Sequence, residues 1–190
     1  MKRKIRTFLI VSAAVIAVDH LVKWIIKSTM EIDQTIRVVG DLFTLYFTYN
    51  TGIAFGFFDA NSSRLKMPLL IVISIIALAI ILYIFFSLPK RVKLSGLAMG
   101  LIFGGAIGNM IDRIAQGRVI DFLDVDFPDI AIKPLGIYLT RWPTFNVADS
   151  CVLVGIIMLL VIIIAEGGKP EPRNADERSP STDELHGPRG

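Results

Sequence analysis

Two aspartates, Asp121 and Asp149, hold the residue types from which hydrolytic chemistry is most readily built in this sequence. Asp121 lies between Val119-Ile120 and Phe122-Leu123, an apolar setting that disfavours the charged carboxylate and raises its pKa. Asp149 follows Asn146 by three residues at the start of a long apolar run. Asn146 is there a plausible helix N-cap, and Asp149 falls near the positive end of the helix dipole. Taken singly, each placement suits a structural carboxylate better than a catalytic one. Brought together, two carboxyls cannot both ionise easily, and one proton is retained. The ionised member can then activate a water while the protonated member polarises a carbonyl. The chain holds no His-Glu-x-x-His motif, no Gly-x-Ser-x-Gly elbow and no Cys-His pair of known spacing, so acid-base chemistry by carboxylates needing neither metal nor cofactor is the reading that remains.

Further polar residues stand in or beside apolar runs. A charged group at the centre of a membrane helix costs about 2.5–3.5 kcal/mol, so such residues persist when paired, near an interface or in use. Asp19 and Lys23 are one helical turn apart and can pair; a structural pair and a contact with substrate are both open readings. Asn109, Asp112 and Arg113 share a helix face, as an interhelical clamp in which the adjacent cation keeps Asp112 ionised, or as part of a site. Gly104, Gly105 and Gly108 precede them and permit close helix approach. Asn50 and Gly52 fit a simple turn, and equally an amide presented to an extended backbone beside a glycine of unusual geometry.

The elements that must carry these residues are membrane helices. Of 190 residues, 53% are hydrophobic and 19% charged, and the mean hydropathy is +0.61. The apolar residues gather in uncharged runs over about 7–26, 68–88, 94–114 and 147–165, each near the ~20 residues a helix needs to cross a bilayer. Asp19 and Lys23 interrupt the first run and no small-residue cleavage site follows, so it reads as a retained helix. Basic residues at Lys2-Arg3-Lys4-Arg6 and Lys90-Arg91-Lys93 predict a cytoplasmic N-terminus and first turn, hence a cytoplasmic C-terminus. A net charge of +3 gathered in this way speaks for membrane orientation and against nucleic-acid binding. Segments 27–67 and 115–146 then face outward. The first is strand-like over 36–49, rich in β-branched and aromatic residues; the second, broken by Asp124, Asp126, Pro128 and Pro134, predicts loops and short helices. Residues 1–166 form one membrane domain, and 167–190, polar and rich in Gly, Pro and Ser, read as a disordered cytoplasmic tail. Cys151 is the single cysteine, read as a buried inert thiol, and His20 and His186 lack metal-ligand spacing.

The chain resembles the lipoprotein signal peptidase (signal peptidase II) family. The resemblance rests on Asp19-x-x-x-Lys23, Asn50-Thr51-Gly52-x-Ala54-Phe55-Gly56, Gly108-Asn109-x-x-Asp112-Arg113, Gly117-x-Val119-x-Asp121-Phe122 and Phe145-Asn146-x-Ala148-Asp149-Ser150, in this order along a four-span chain. It implies that Asp121 and Asp149 are a catalytic dyad, and that Asn50, Asn109, Asp112, Arg113 and Asn146 line or support the substrate site, with Gly52, Asp19 and Lys23 in the matching blocks. It also implies a prolipoprotein substrate bearing a diacylglyceryl cysteine, cut just before that cysteine at the outer face of the bacterial inner membrane. Inhibition by the cyclic peptide globomycin follows from it. A monomer in contact with membrane lipid is the expected state. The chain departs from a minimal family member in its long 123–144 segment, where Asp124, Asp126 and Asp129 are expected to be solvated loop charges, and in its tail. Rival readings are a small transporter using the buried charges as a path, and a peptide-binding module using the strand-like segment. The gathering of charges at one end and a second span that carries no charge oppose the former; tolerance of Asn at both aspartates would support the latter.

Overall fold

The computed structural model describes residues 2–52, 63–88, 94–126, 130–132, 137–139 and 141–167. Its helices are α1 (Lys2–Thr29), α2 (Ser63–Ser87), α3 (Ser95–Gln116) and α4 (Val147–Gly167). Strands β1 (Thr35–Val39) and β2 (Phe43–Asn50) follow α1, and β3 (Val119–Val125), β4 (Ile130–Ile132) and β5 (Ile137–Leu139) lie between α3 and α4. All four helices are long and apolar enough to cross a membrane. Half of the apolar window of α3 is buried, against 11% for α2, so α3 is the hub and α2 presents most of its surface to lipid. Glycine makes that hub possible. A Cβ on Gly104 would stand 2.9 Å from the Ser12 carbonyl of α1, and one on Gly105 would collide with the Ala148 carbonyl of α4. At the opposite end from the sheet, Phe8, Phe85, Met99 and Ile102 close the core, with the Phe8 and Phe85 rings stacked at 4.3 Å. Lys4 there donates to the carbonyls of Phe85 (2.6 Å) and Leu88 (3.1 Å) at the end of α2.

β1, β2 and β3 form one antiparallel sheet, with Thr48 opposite Asp121 and Thr44 opposite Asp124. Its inner face packs Phe47, Ile120 and Phe122 on Ile26 of α1 and on Met30 just beyond its end. Strands over 35–50 meet the expectation for the first outward segment. The second differs: β3 completes the sheet and β4 pairs with β5, where loops and short helices were expected. Val119, Ile120, Phe122, Leu123 and Val125 are strand-forming types, and pairing with β2 supplies the ladder that a local reading of the segment lacks. Gly117, at φ +69°, ends α3 with its N–H on the Arg113 carbonyl and turns the chain directly into β3. Ala54, Phe55, Gly56, the 89–93 turn, Asp129 and the tail from 168 lie outside the described residues.

Candidate active site

The site sits where the sheet end of α3 meets the start of α4. Asn146 caps α4 in a reciprocal box: its Oδ1 accepts the Asp149 N–H at 3.0 Å, and Asp149 Oδ2 accepts the Asn146 N–H at 3.2 Å. The residue before it is held on the sheet, since the Phe145 carbonyl accepts the N–H groups of Phe122 (3.0 Å) and Leu123 (2.8 Å). That docking brings the fully buried Asn146 side chain to Asp121, and its Nδ2 donates to Asp121 Oδ1 at 2.8 Å and to Asn109 Oδ1 at 3.0 Å. Asn109 in turn donates from Nδ2 to Asp149 Oδ1 at 2.8 Å. Asp121 receives its second amide from Asn50, at 2.8 Å to Oδ2. Asn50 is itself oriented by an Asx turn in which its Oδ1 accepts the Gly52 N–H at 2.7 Å. Gly52 holds φ +77°, where a side chain would be strained. Asp121 and Asp149 thus share Asn146, with Asn50 bonded to the first and Asn109 to the second.

Behind this pair stands Lys23, 2% exposed. Its ammonium has three donors and three acceptors: Asp19 Oδ2 (2.7 Å), Asp112 Oδ2 (2.7 Å) and Asn109 Oδ1 (3.0 Å). The remaining oxygen of Asp19 accepts the Ala148 N–H at 3.0 Å, so α1 supplies a second cap to α4. The Asp19–Lys23 pair expected from spacing is present. Asp112 departs from expectation: its cation is Lys23 on another helix, not the adjacent Arg113, which makes no ion pair among the described residues. Successive helical residues point about 100° apart, so Asp112 can face the bundle while Arg113 turns away.

Burial pushes the Asp121 carboxyl up to about 6, and the neighbouring Asp149 charge pushes the same way; the Asn50 and Asn146 amides and Lys23 pull against it. Four carboxylates (Asp19, Asp112, Asp121, Asp149) gather around one buried lysine, an excess of negative charge that favours keeping a proton. Among the described residues no three His, Cys, Asp or Glu side chains are grouped to hold a metal ion.

Asp124 overturns an expectation. It is no solvated loop charge but is 6% exposed, accepting from Thr44 Oγ1 at 2.7 Å and from Arg141 Nε at 2.8 Å. Its place on a paired strand, opposite a threonine, is the reason. Arg141 and Thr44 were not legible as partners, because they lie 17 and 80 residues away with no spacing pattern to link them.

The family model described as signal peptidase (SPase) II matches residues 11–165. The chain is 38% identical over 172 residues to the lipoprotein signal peptidase of Geobacter sulfurreducens, covering 90% of this chain and 100% of that one. It is 34% identical to the lipoprotein signal peptidase of Shouchella clausii, covering 83% and 93%. A bacterial membrane enzyme solved by the in meso method at 1.9 Å superposes with a TM-score of 0.70 at 28% identity, covering 85% of this chain and 95% of that one. The matched span takes in the whole arrangement from Asp19 to Asp149, and the chain belongs to the signal peptidase II family of aspartic membrane peptidases.

Proposed function

We propose that Asp121 and Asp149 are the catalytic dyad of this peptidase, acting on prolipoproteins whose cysteine carries a diacylglyceryl group and cutting just before that cysteine. The observation that carries this is Asn146, which bonds Asp121 through its side chain (2.8 Å) and Asp149 through its backbone N–H (3.2 Å), placing both carboxyls about one site. Asp149 lies in the first turn of α4, where helix N–H groups favour an anion, and serves as the ionised partner. Asp121, buried and raised to about 6, is the member that takes the shared proton.

Asp149 takes a proton from water as the water oxygen attacks the scissile carbonyl carbon. Asp121 gives its proton to the carbonyl oxygen, forming a neutral tetrahedral diol. On collapse the diol returns a proton to Asp121, Asp149 protonates the departing nitrogen, and the C–N bond breaks. The products are the signal peptide carboxyl and the amino group of the lipidated cysteine. Asn50, Asn109 and Asn146 orient the two acids, while Asp19, Lys23 and Asp112 fix the helices beneath them. Gly52 and Arg113 belong to the set that lines or supports the substrate site, Gly52 by shaping the Asn50 turn.

The acyl chains of the substrate suit a site between apolar helices, because they hold the scissile bond at the membrane surface. The basic N-terminal residues support an orientation with both termini in the cytoplasm and the sheet end at the outer face. A globomycin-type cyclic peptide would compete for the same cradle, the enzyme acts as a monomer, and residues 1–166 suffice for activity, with 167–190 dispensable.

The test is cleavage of a purified diacylglyceryl prolipoprotein in detergent by wild type, Asp121→Asn and Asp149→Asn. Both folded variants should bind substrate and fail to cut it. Normal cutting by both would move the chemistry to other acids.

A further inference from the structure

We propose that Arg141, acting through Asp124, is a positioning residue for the second carboxylate of the site. This rests on the reading of Asp121 and Asp149 as the dyad. Asp121 is fixed by the sheet, with Thr48 opposite it on β2. Asp149 arrives differently, on a chain that leaves the sheet after Asp126, forms the β4–β5 pair and returns at Arg141. Where Asn146 and Asp149 come to rest therefore depends on the register in which residues 141–146 settle on β3.

Backbone and side-chain ties set that register. The backbone contributes Trp142 N–H to the Val125 carbonyl (3.2 Å), Phe145 N–H to the Leu123 carbonyl (2.9 Å) and the two bonds accepted by the Phe145 carbonyl. Pro143 has no N–H to give. At the point of return the side chain of Arg141 does the fastening. Its Nε donates to Asp124 Oδ1 at 2.8 Å, and its Nη2 reaches the Asp41 carbonyl at 3.4 Å. The other oxygen of Asp124 is taken by Thr44 at 2.7 Å. One buried anion thus joins β2, β3 and the returning chain.

A slip of one residue would move Asn146 by about 3.3 Å and reverse the faces of the returning side chains. No hydrogen bond from Asn146 to Asp121 (2.8 Å) or Asn109 (3.0 Å) would survive that displacement. Asp124 lies three residues, roughly 10 Å, along β3 from Asp121, so the clasp works without touching the reacting groups.

Arg141→Ala, Arg141→Lys and the double variant Asp124→Ala/Arg141→Ala separate positioning from stability, assayed on the diacylglyceryl prolipoprotein with kcat, KM, pH profile and thermal midpoint. Arg141→Ala should lower kcat about tenfold with KM within twofold, and displace the basic limb of kcat/KM, since the spacing of the two acids sets their coupling. Arg141→Lys should recover part of kcat. The double variant, free of an unpaired buried anion, should regain thermal midpoint but not kcat. Wild-type kcat and pH limb in the folded single and double variants would overturn the proposal, as would an effect confined to KM. If Asp121→Asn and Asp149→Asn are inactive while the double variant is fully active, the clasp alone is wrong; if they cut normally, the dyad reading has failed first.

Discussion

At the scale of the residue, Asp121 is the most informative group, because in the proposed dyad its protonation links activity to stability. Its carboxyl titrates near 6 in the folded protein and at the ordinary aspartate value, about 4, when unfolded. Between those values the native state binds more protons, so the contribution of Asp121 to stability is fully present below pH ~4 and is lost as pH rises through ~6. Asp121→Asn should therefore abolish cleavage yet raise stability at pH 7.5 by on the order of 1 kcal/mol, an advantage that shrinks toward pH 4. Thermal unfolding of the two proteins across that range measures it, and an unchanged gap would remove the burial argument. The pH profile follows from the same value. The two limbs of kcat/KM belong to the pair rather than to either acid, and the more basic should lie near 6 in free enzyme, well above an ordinary aspartate. Substrate that excludes water should carry the corresponding limb of kcat higher. A profile with a single ionisation near 4 would contradict both.

At the scale of the element, a buried cation joins α1 to α3 in addition to the close glycine packing between them. Lys23→Met leaves Asp19 and Asp112 without their ammonium and should destabilise by about 3–5 kcal/mol, read from the shift in unfolding midpoint. Gly105→Val tests the neighbouring contact: its side chain meets the Ala148 carbonyl and Val152, so α4 must move away and cleavage should fall sharply even where the protein still inserts. These devices differ in how well local sequence announces them. The helices, the Asp19–Lys23 pair and the Asn146 cap are visible because each is an interaction within about one turn, expressed as spacing. β3 is less visible, because a strand broken by Asp121 and Asp124 resembles a loop until β2 is laid beside it. The exchange of Arg113 for Lys23 as the partner of Asp112 is invisible locally, since it depends on which face of α3 meets α1.

At the scale of the whole molecule, the apparatus described here ends with α4, and removal of residues 168–190 should leave kcat/KM within about twofold, checked on the truncated enzyme in detergent. The reciprocal box at the start of α4 has a further consequence for experiment. Asp149 fastens the first turn of its helix and, in the proposed mechanism, is also the base, so replacing it disturbs architecture along with chemistry. Asp121 carries no such second duty in a helix. A captured enzyme–prolipoprotein complex, stalled for imaging, is therefore better sought with Asp121→Asn than with Asp149→Asn: the first leaves the start of α4 fastened, whereas the second disturbs the cap on which the placement of both acids rests.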